Sequence, residues 1–146
     1  MRISTRGEYG VRAMLDLALY SSDEPVPLSA IAARQDISEH YLEQLISALR
    51  KAGLVISFRG AQGGYQLAKP AEEITIGEII RTLEGPIAPM KCVEGSHTDC
   101  TQSELCATRV LWQKLQASME AVLETTTLAW LKDKAQKIQA TAANQR

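Results

Sequence analysis

Apolar residues recur at helical spacing over most of this chain, with one interval of period two near its middle. Thr5-Arg-Gly-Glu8 fits a capping box, a hydroxyl followed by a carboxylate three positions on. Behind it Tyr9, Ala13 and Leu17 share a face with Leu15, Ala18 and Leu19, which predicts a helix to about Tyr20. The stretch 21–25 and Pro27 end it. Residues 28–35 predict a short helix with Leu28, Ile31 and Ala32 inward. Asp36-Ile37-Ser38 is a tight turn, and Ser38 caps a helix from Glu39 to about Ala52, with Tyr41, Leu42, Leu45, Ile46 and Leu49 at helical spacing. Gly53 stops it. Two helices around so short a turn predict a helix-turn-helix.

After Gly53 residues 54–59 and 64–68 alternate as strands, joined by the glycine-rich tip Gly60-Ala-Gln-Gly-Gly64. A hairpin placed straight after a recognition helix is a wing. Thr75-Ile-Gly-Glu78 is a second capping-box match and opens a helix through Leu83. From about Ser103 the helical period returns, with Leu111, Leu115, Ser118 and Val122 in one row and Trp112 and Met119 in a second. A long helix with such a stripe needs a partner, most simply another copy of itself. Thr125-Thr-Thr127 breaks the run, and Thr127 caps a last helix carrying Leu128, Leu131, Ala135 and Ile138 on one side. Residues 141–146 read as a frayed tail. The fold class expected is mainly α with a small β-hairpin wing: a winged helix-turn-helix plus a long dimerisation helix.

Composition adds limits. The chain has 146 residues, 45% hydrophobic, enough for one compact domain and an appended arm. Lys plus Arg is 16 against 17 for Asp plus Glu, so nucleic-acid binding requires local clustering of charge. No apolar run approaches the roughly 20 residues of a membrane helix, and the opening residues run straight into an amphipathic pattern without a leader. A cytoplasmic protein is expected. With two histidines and no recognisable catalytic motif, an enzyme is not.

The chemistry concentrates in residues 91–106. All three cysteines, Cys92, Cys100 and Cys106, lie in this polar stretch, and the chain has no others. An odd count in a reducing compartment disfavours a disulfide framework and favours metal or redox chemistry. The recognition helix offers Ser38, Glu39, His40, Glu43 and Gln44 near its exposed N-terminal turns. Gln reads adenine bidentately, Glu accepts from cytosine N4, and Ser binds base or phosphate. Arg50, Lys51 and Arg59 add positive charge nearby, Arg2 and Arg6 add more from the first helix, and Gln62 stands at the wing tip. The bland alternative is a solvated helix face and an ordinary hairpin.

Several stretches carry a likeness. These are Met-Arg-Ile-Ser-Thr-Arg-Gly-Glu-Tyr-Gly at 1–10, Ile-Ser-Glu-His-Tyr-Leu-Glu-Gln-Leu at 37–45, Leu-Arg-Lys-Ala-Gly-Leu-Val at 49–55, Arg-Gly-Ala-Gln-Gly-Gly-Tyr at 59–65 and Ile-Thr-Ile-Gly-Glu-Ile-Ile at 74–80. Together with the cysteine loop they make the chain resemble the IscR, NsrR and CymR family of bacterial winged-helix transcription regulators, over residues 1 to about 135. The resemblance implies a homodimer on an operator in double-stranded DNA, with crossed long helices and an iron–sulfur cluster in each cysteine loop. By position it points to Glu43, Gln44, Arg59 and Ser38 as base and phosphate contacts, and His40 sits where the family varies. The expected organisation is a DNA-binding domain over 1–85, a cluster-binding loop over 86–106, and a dimerisation helix with a C-terminal helix over 107–140.

The fourth ligand stays open. IscR-like members have a histidine three residues after the last cysteine; here that residue is Arg109, which cannot ligate. Glu8 sits where NsrR-like members place an aspartate that reaches the cluster across the dimer, although it also suits the cap of the first helix. His97 lies within the loop. Neither a two-iron nor a four-iron cluster is selected. Two other readings remain: a zinc-stabilised DNA-binding protein with a Cys92, His97, Cys100, Cys106 site, and a cluster-free repressor controlled by a partner protein, closest to CymR.

Overall fold

The computed structural model describes residues 2–95 and 105–146. Six helices and one hairpin follow in the order α1 (Thr5–Tyr20), α2 (Leu28–Gln35), α3 (Glu39–Lys51), β1 (Val55–Phe58), β2 (Gly64–Leu67), α4 (Ile76–Glu84), α5 (Ala107–Thr125) and α6 (Leu128–Asn144). Short 3-10 turns occupy Ala71–Glu73 and Lys91–Val93. The fold is the expected mainly helical one with an antiparallel hairpin wing.

The core forms where the apolar rows of α1, α3 and α4 meet. Met14, Leu17, Ile31, Leu42, Leu45, Leu49, Ile74 and Ile79 are fully buried there. Asp36, in the left-handed region at φ 52°, ends α2 and turns the chain into α3. Ser38 caps α3 by accepting from the Tyr41 N–H at 3.2 Å. The wing pairs Val55 with Leu67 through Phe58 with Gly64. Val26 extends it as a bridge, exchanging both main-chain hydrogen bonds with Tyr65 at 2.9 Å. This fixes the wing on the segment before α2. Gly64 is required because a Cβ there would collide with the Val26 carbonyl.

The Thr75–Glu78 capping box forms in full: Glu78 N–H donates to Thr75 Oγ1 at 3.1 Å and Thr75 N–H to Glu78 Oε2 at 3.0 Å. The box expected over Thr5–Glu8 does not. Ser4 is the N-cap of α1 and Gly7 stands third, so Glu8 is one position too late. The carboxylate comes instead from Glu84 at the end of α4, which accepts the Ser4 N–H at 2.6 Å and the Ser4 hydroxyl. Gly7 leaves room for it, since a Cβ there would meet the Glu84 carboxylate.

Two further expectations are corrected. The helix after the cysteine loop begins at Ala107 rather than about Ser103, because Leu105 is in a turn and Cys106 holds the N-cap position. The tail over 141–146 is helical as far as Asn144, where alanines at 140, 142 and 143 sustain α6. The break at Thr125–Thr127 is where expected, with Thr127 Oγ1 accepting from Trp130 N–H at 3.1 Å. There the chain returns to the core. Ile76 N–H donates to Thr126 O, and Leu128 N–H to Ile74 O at 2.8 Å. Leu128 is fully buried, and α6 packs against α1.

Candidate nucleic-acid interface and cysteine junction

Burying Leu42, Leu45, Ile46 and Leu49 turns the other side of α3 outward. Ser38, Glu39, His40, Glu43 and Gln44 are all exposed on that side, as are Arg50 and Lys51 at its end. The Gln44 side-chain amide lies 3.3 Å from His40 Nε2, one helical turn away. Between α3 and the wing runs a groove of about 430 Å³, lined by Glu43, Ser47, Arg50, Phe58, Arg59 and Tyr65 among others. Glu43, Arg50 and Arg59 are thus brought together. Gln62 is exposed at the wing tip beside Glu24 and Pro25. Arg2 is placed elsewhere, in a hollow with Ile3, Ile80, Glu84, Ile87 and Met119. Arg6 is held by its own contact, Nε donating to Leu83 O at 2.8 Å.

What aims α3 is a polar cluster that sequence reasoning missed. Asp16 on α1 is fully buried and takes two parallel hydrogen bonds from Arg34, at 2.8 and 2.9 Å. Gln35 Nε2 donates to the same carboxylate at 3.0 Å, and Arg12 Nε reaches Gln35 Oε1 at 3.2 Å. The bond to Asp16 raises the Arg34 guanidinium further, against the effect of partial burial. The cluster pins the end of α2, and so the turn that launches α3, onto α1. The signal available was one carboxylate inside the apolar run Ala13–Ala18.

At the other site, Cys92 sits in the turn Lys91–Val93 and Cys106 at the head of α5, both half-buried. Arg109 ties them together. Its Nε donates to Cys92 O at 3.3 Å, while its main-chain N–H faces the Cys106 sulfur from the first turn of α5. The Thr108 hydroxyl, 3.1 Å from that sulfur, and the Arg109 N–H together hold the Cys106 thiol below its ordinary range. Partial burial opposes this, and the Thr108 N–H and the Arg109 charge assist it. The head of α5 thus turns main-chain donors toward the Cys106 sulfur, which favours a negative charge there. Farther along α5, Gln116 Nε2 donates to Val93 O at 2.8 Å and to Ile87 O at 3.0 Å. Arg109, excluded as a ligand by its chemistry, therefore organises the junction.

Cys100 and His97 lie outside the described residues. Among the described residues no three potential ligands come together. Glu8 is exposed in the first turn of α1, and the register of the cap frees it from the role that competed with ligation. The donor types fit thiolate chemistry: the Cys92 main chain and the Cys106 sulfur are both met by Arg109, and Cys100 falls between them in sequence.

Comparison with known proteins adds a family. A model described as Rrf2, iron-dependent transcriptional regulator, matches residues 3–134. The chain is 47% identical over 128 residues to the transcriptional regulator CymR of Bacillus subtilis, covering 88% of this chain and 87% of that protein. It is 45% identical over 131 residues to the transcriptional regulator IscR of Photobacterium profundum, covering 90% and 75%. It is 45% identical over 129 residues to protein rrf2 of Nitratidesulfovibrio vulgaris, covering 88% and 85%. Among solved structures, B. subtilis CymR superimposes with a TM-score of 0.78 at 44% identity, over 92% of this chain and 98% of that one. T. potens IscR also gives 0.78, at 46% identity over 95% and 91%.

Proposed function

The chain belongs to the Rrf2 family of transcriptional regulators, and from that premise we propose that it binds operator DNA as a homodimer whose affinity is set by an iron–sulfur cluster on Cys92, Cys100 and Cys106. Relatives this similar are named as regulators of transcription, so the chain is a regulator and not an enzyme. The observation that carries the cluster reading is the junction at Arg109, where one residue contacts both Cys92 and Cys106 between the DNA reader and α5. When bound, such a cluster supplies a redox-active tie among thiolates.

The chain's own residues convert that tie into DNA affinity. Arg109 and Gln116 fasten the segment after α4 to α5. The direction in which α5 leaves that junction sets how two copies sit together, and hence how far apart two α3 helices lie. Dimeric readers need them about 34 Å apart. A coupling of about 1–3 kcal/mol changes affinity about 5–150-fold. On DNA, Gln44 and Glu43 read bases, Ser38 and the head of α3 meet a phosphate, and Arg50, Lys51 and Arg59 meet the backbone or a groove. Glu39, His40 and Gln62 complete the surface, and Arg2, which lies in the hollow by Ile80 and Met119, is not part of it. Glu8 of the partner subunit is the first choice for the fourth ligand, and His97 the alternative. The protein acts on DNA in the cytoplasm, and no helix among the described residues is long and apolar enough to cross a membrane.

Similarity to CymR supports a second reading. The B. subtilis protein is described as a global cysteine regulator and fits the fold as well as IscR does. On that reading the thiols are redox-active or idle, and a partner protein supplies the signal. Optical and Mössbauer spectra of anaerobically purified protein separate the readings. A coloured protein with iron supports the cluster; a colourless one with one zinc per chain, or with no metal, contradicts it. Repeating the spectra on Glu8→Ala and His97→Ala assigns the fourth ligand, because a substitution that leaves them unchanged excludes its residue.

A further inference from the structure

We infer that Ser47 is a further DNA contact: its hydroxyl donates to a phosphate of the strand that passes between α3 and the wing. The inference rests on the reading of α3 as the recognition helix. An α3 in the major groove and a wing over the neighbouring minor groove have one sugar–phosphate strand between them. The groove of about 430 Å³ between α3 and the wing is the opening for that strand. Ser47 stands on its α3 wall, and Ser57 and Arg59 on its wing wall. Ser57 shares one side of the hairpin with Tyr65, its cross-strand partner, which lines the same groove. Ser47 also borders the hollow formed by His40, Glu43 and Gln44. It therefore marks the place on α3 where the base-reading row ends and the groove begins.

The surroundings of Ser47 favour a phosphate over a base. The helical hydroxyls of Thr82, Thr125 and Thr141 each donate to the carbonyl four residues before, whereas half-buried Ser47 has no hydrogen-bond partner among the described residues. Arg50 follows three positions on along the same wall, and Arg59 lines the wall opposite. The ion pairs of the described residues use Arg34, Lys69, Arg81 and Lys137, so neither guanidinium is tied to a carboxylate there. Glu43, one turn toward the head of α3, lines the groove as well. Its carboxylate repels a phosphate and suits a base donor such as cytosine N4. The seat is therefore at the Ser47 and Arg50 end, where oxygens that only accept meet a hydroxyl and two cations.

The test is a binding titration of the full chain on operators that it selects from a random-sequence pool. Ser47→Ala lowers affinity about 10-fold on every operator alike, the loss of one hydrogen bond to a charged acceptor, and keeps the order of bases. It also keeps the salt dependence, because a hydroxyl releases no counterion. Arg50→Gln, by contrast, reduces the slope of log affinity against log salt by about one. Replacing the phosphates one at a time by methylphosphonate locates the contact: at one phosphate the replacement weakens wild type more than it weakens Ser47→Ala. Alanine is the stronger helix former, so the variant keeps α3, and circular dichroism checks this. Unchanged affinity of Ser47→Ala, a loss confined to one base pair, or no phosphate at which the two proteins differ overturns the inference. If Arg50→Gln and Gln44→Ala leave affinity and slope unchanged, the reading of α3 as the recognition helix fails, and the inference with it.

Discussion

The helix-turn-helix core and α5 are made of similar apolar residues and meet opposite fates. In the core the rows of α1, α3 and α4 close on one another, and even a carboxylate, Asp16, is buried with all its bonds made. Along the 19 residues of α5 no side chain is buried, and Leu111 and Val122 stay 55% and 62% exposed. One chain thus completes its reader but not its longest helix. On the proposed function that open stripe is the dimer surface, and its place next to the cysteine junction is what would let the thiols act on association. The junction is where these two parts meet.

The largest expected effect tests the completeness of the reader. Asp16→Ala removes a buried carboxylate that accepts three hydrogen bonds from Arg34 and Gln35 and costs about 3 kcal/mol by denaturant unfolding, in keeping with hydrogen bonds to a charged group. Little change would mean that α2 is not aimed by this cluster. Next, a charge on the open stripe should separate association from folding. Leu111→Glu and Val122→Glu raise the dimer dissociation constant about 100-fold in sedimentation, in keeping with central contacts worth about 2 kcal/mol or more. The helix content should stay the same. A dimer that survives both changes would move the interface away from α5.

Two smaller effects lie where the core receives α5 and α6. Thr75→Ala removes one half of the α4 capping box and costs about 1 kcal/mol of stability. The same box gives a pH dependence. Partial burial pushes the Glu78 carboxyl up, but the Thr75 N–H, Lys69 at 3.0 Å and Arg81 together bring it below the usual carboxylate range. Its folded value is depressed, so Glu78 contributes its stability above its unfolded value and loses it as pH falls through the folded one. Glu78→Gln should flatten the fall in thermal stability below about pH 4.5 relative to wild type. An identical acid profile would assign that fall to other carboxylates.

The sequence made most of this fold legible because its signals are local. Period and turn chemistry located the helices and the wing, and the box at Thr75 needs only its own turn. What escaped was held from far away. Glu84 replaces the expected carboxylate of the first cap across 80 positions, and Asp16 meets Arg34 18 positions on. The exposed face of α3 is legible because its polar residues are the complement of a buried row. Arg109 was judged only for a property it lacks, the ability to ligate, and its role as a donor to Cys92 depends on a turn 17 positions earlier. The tail was read as frayed because no capping signal marks its end, yet its alanines are strong helix formers.

Operator affinity of the anaerobically purified protein, measured with its cluster in place and again after the cluster is removed, tests the central claim most directly. Cys92→Ala serves as the permanently cluster-free control. The account predicts about 5–150-fold between the two forms at one or more operators, and Cys92→Ala should follow the cluster-free form. Equal affinity of both forms at every operator would contradict it.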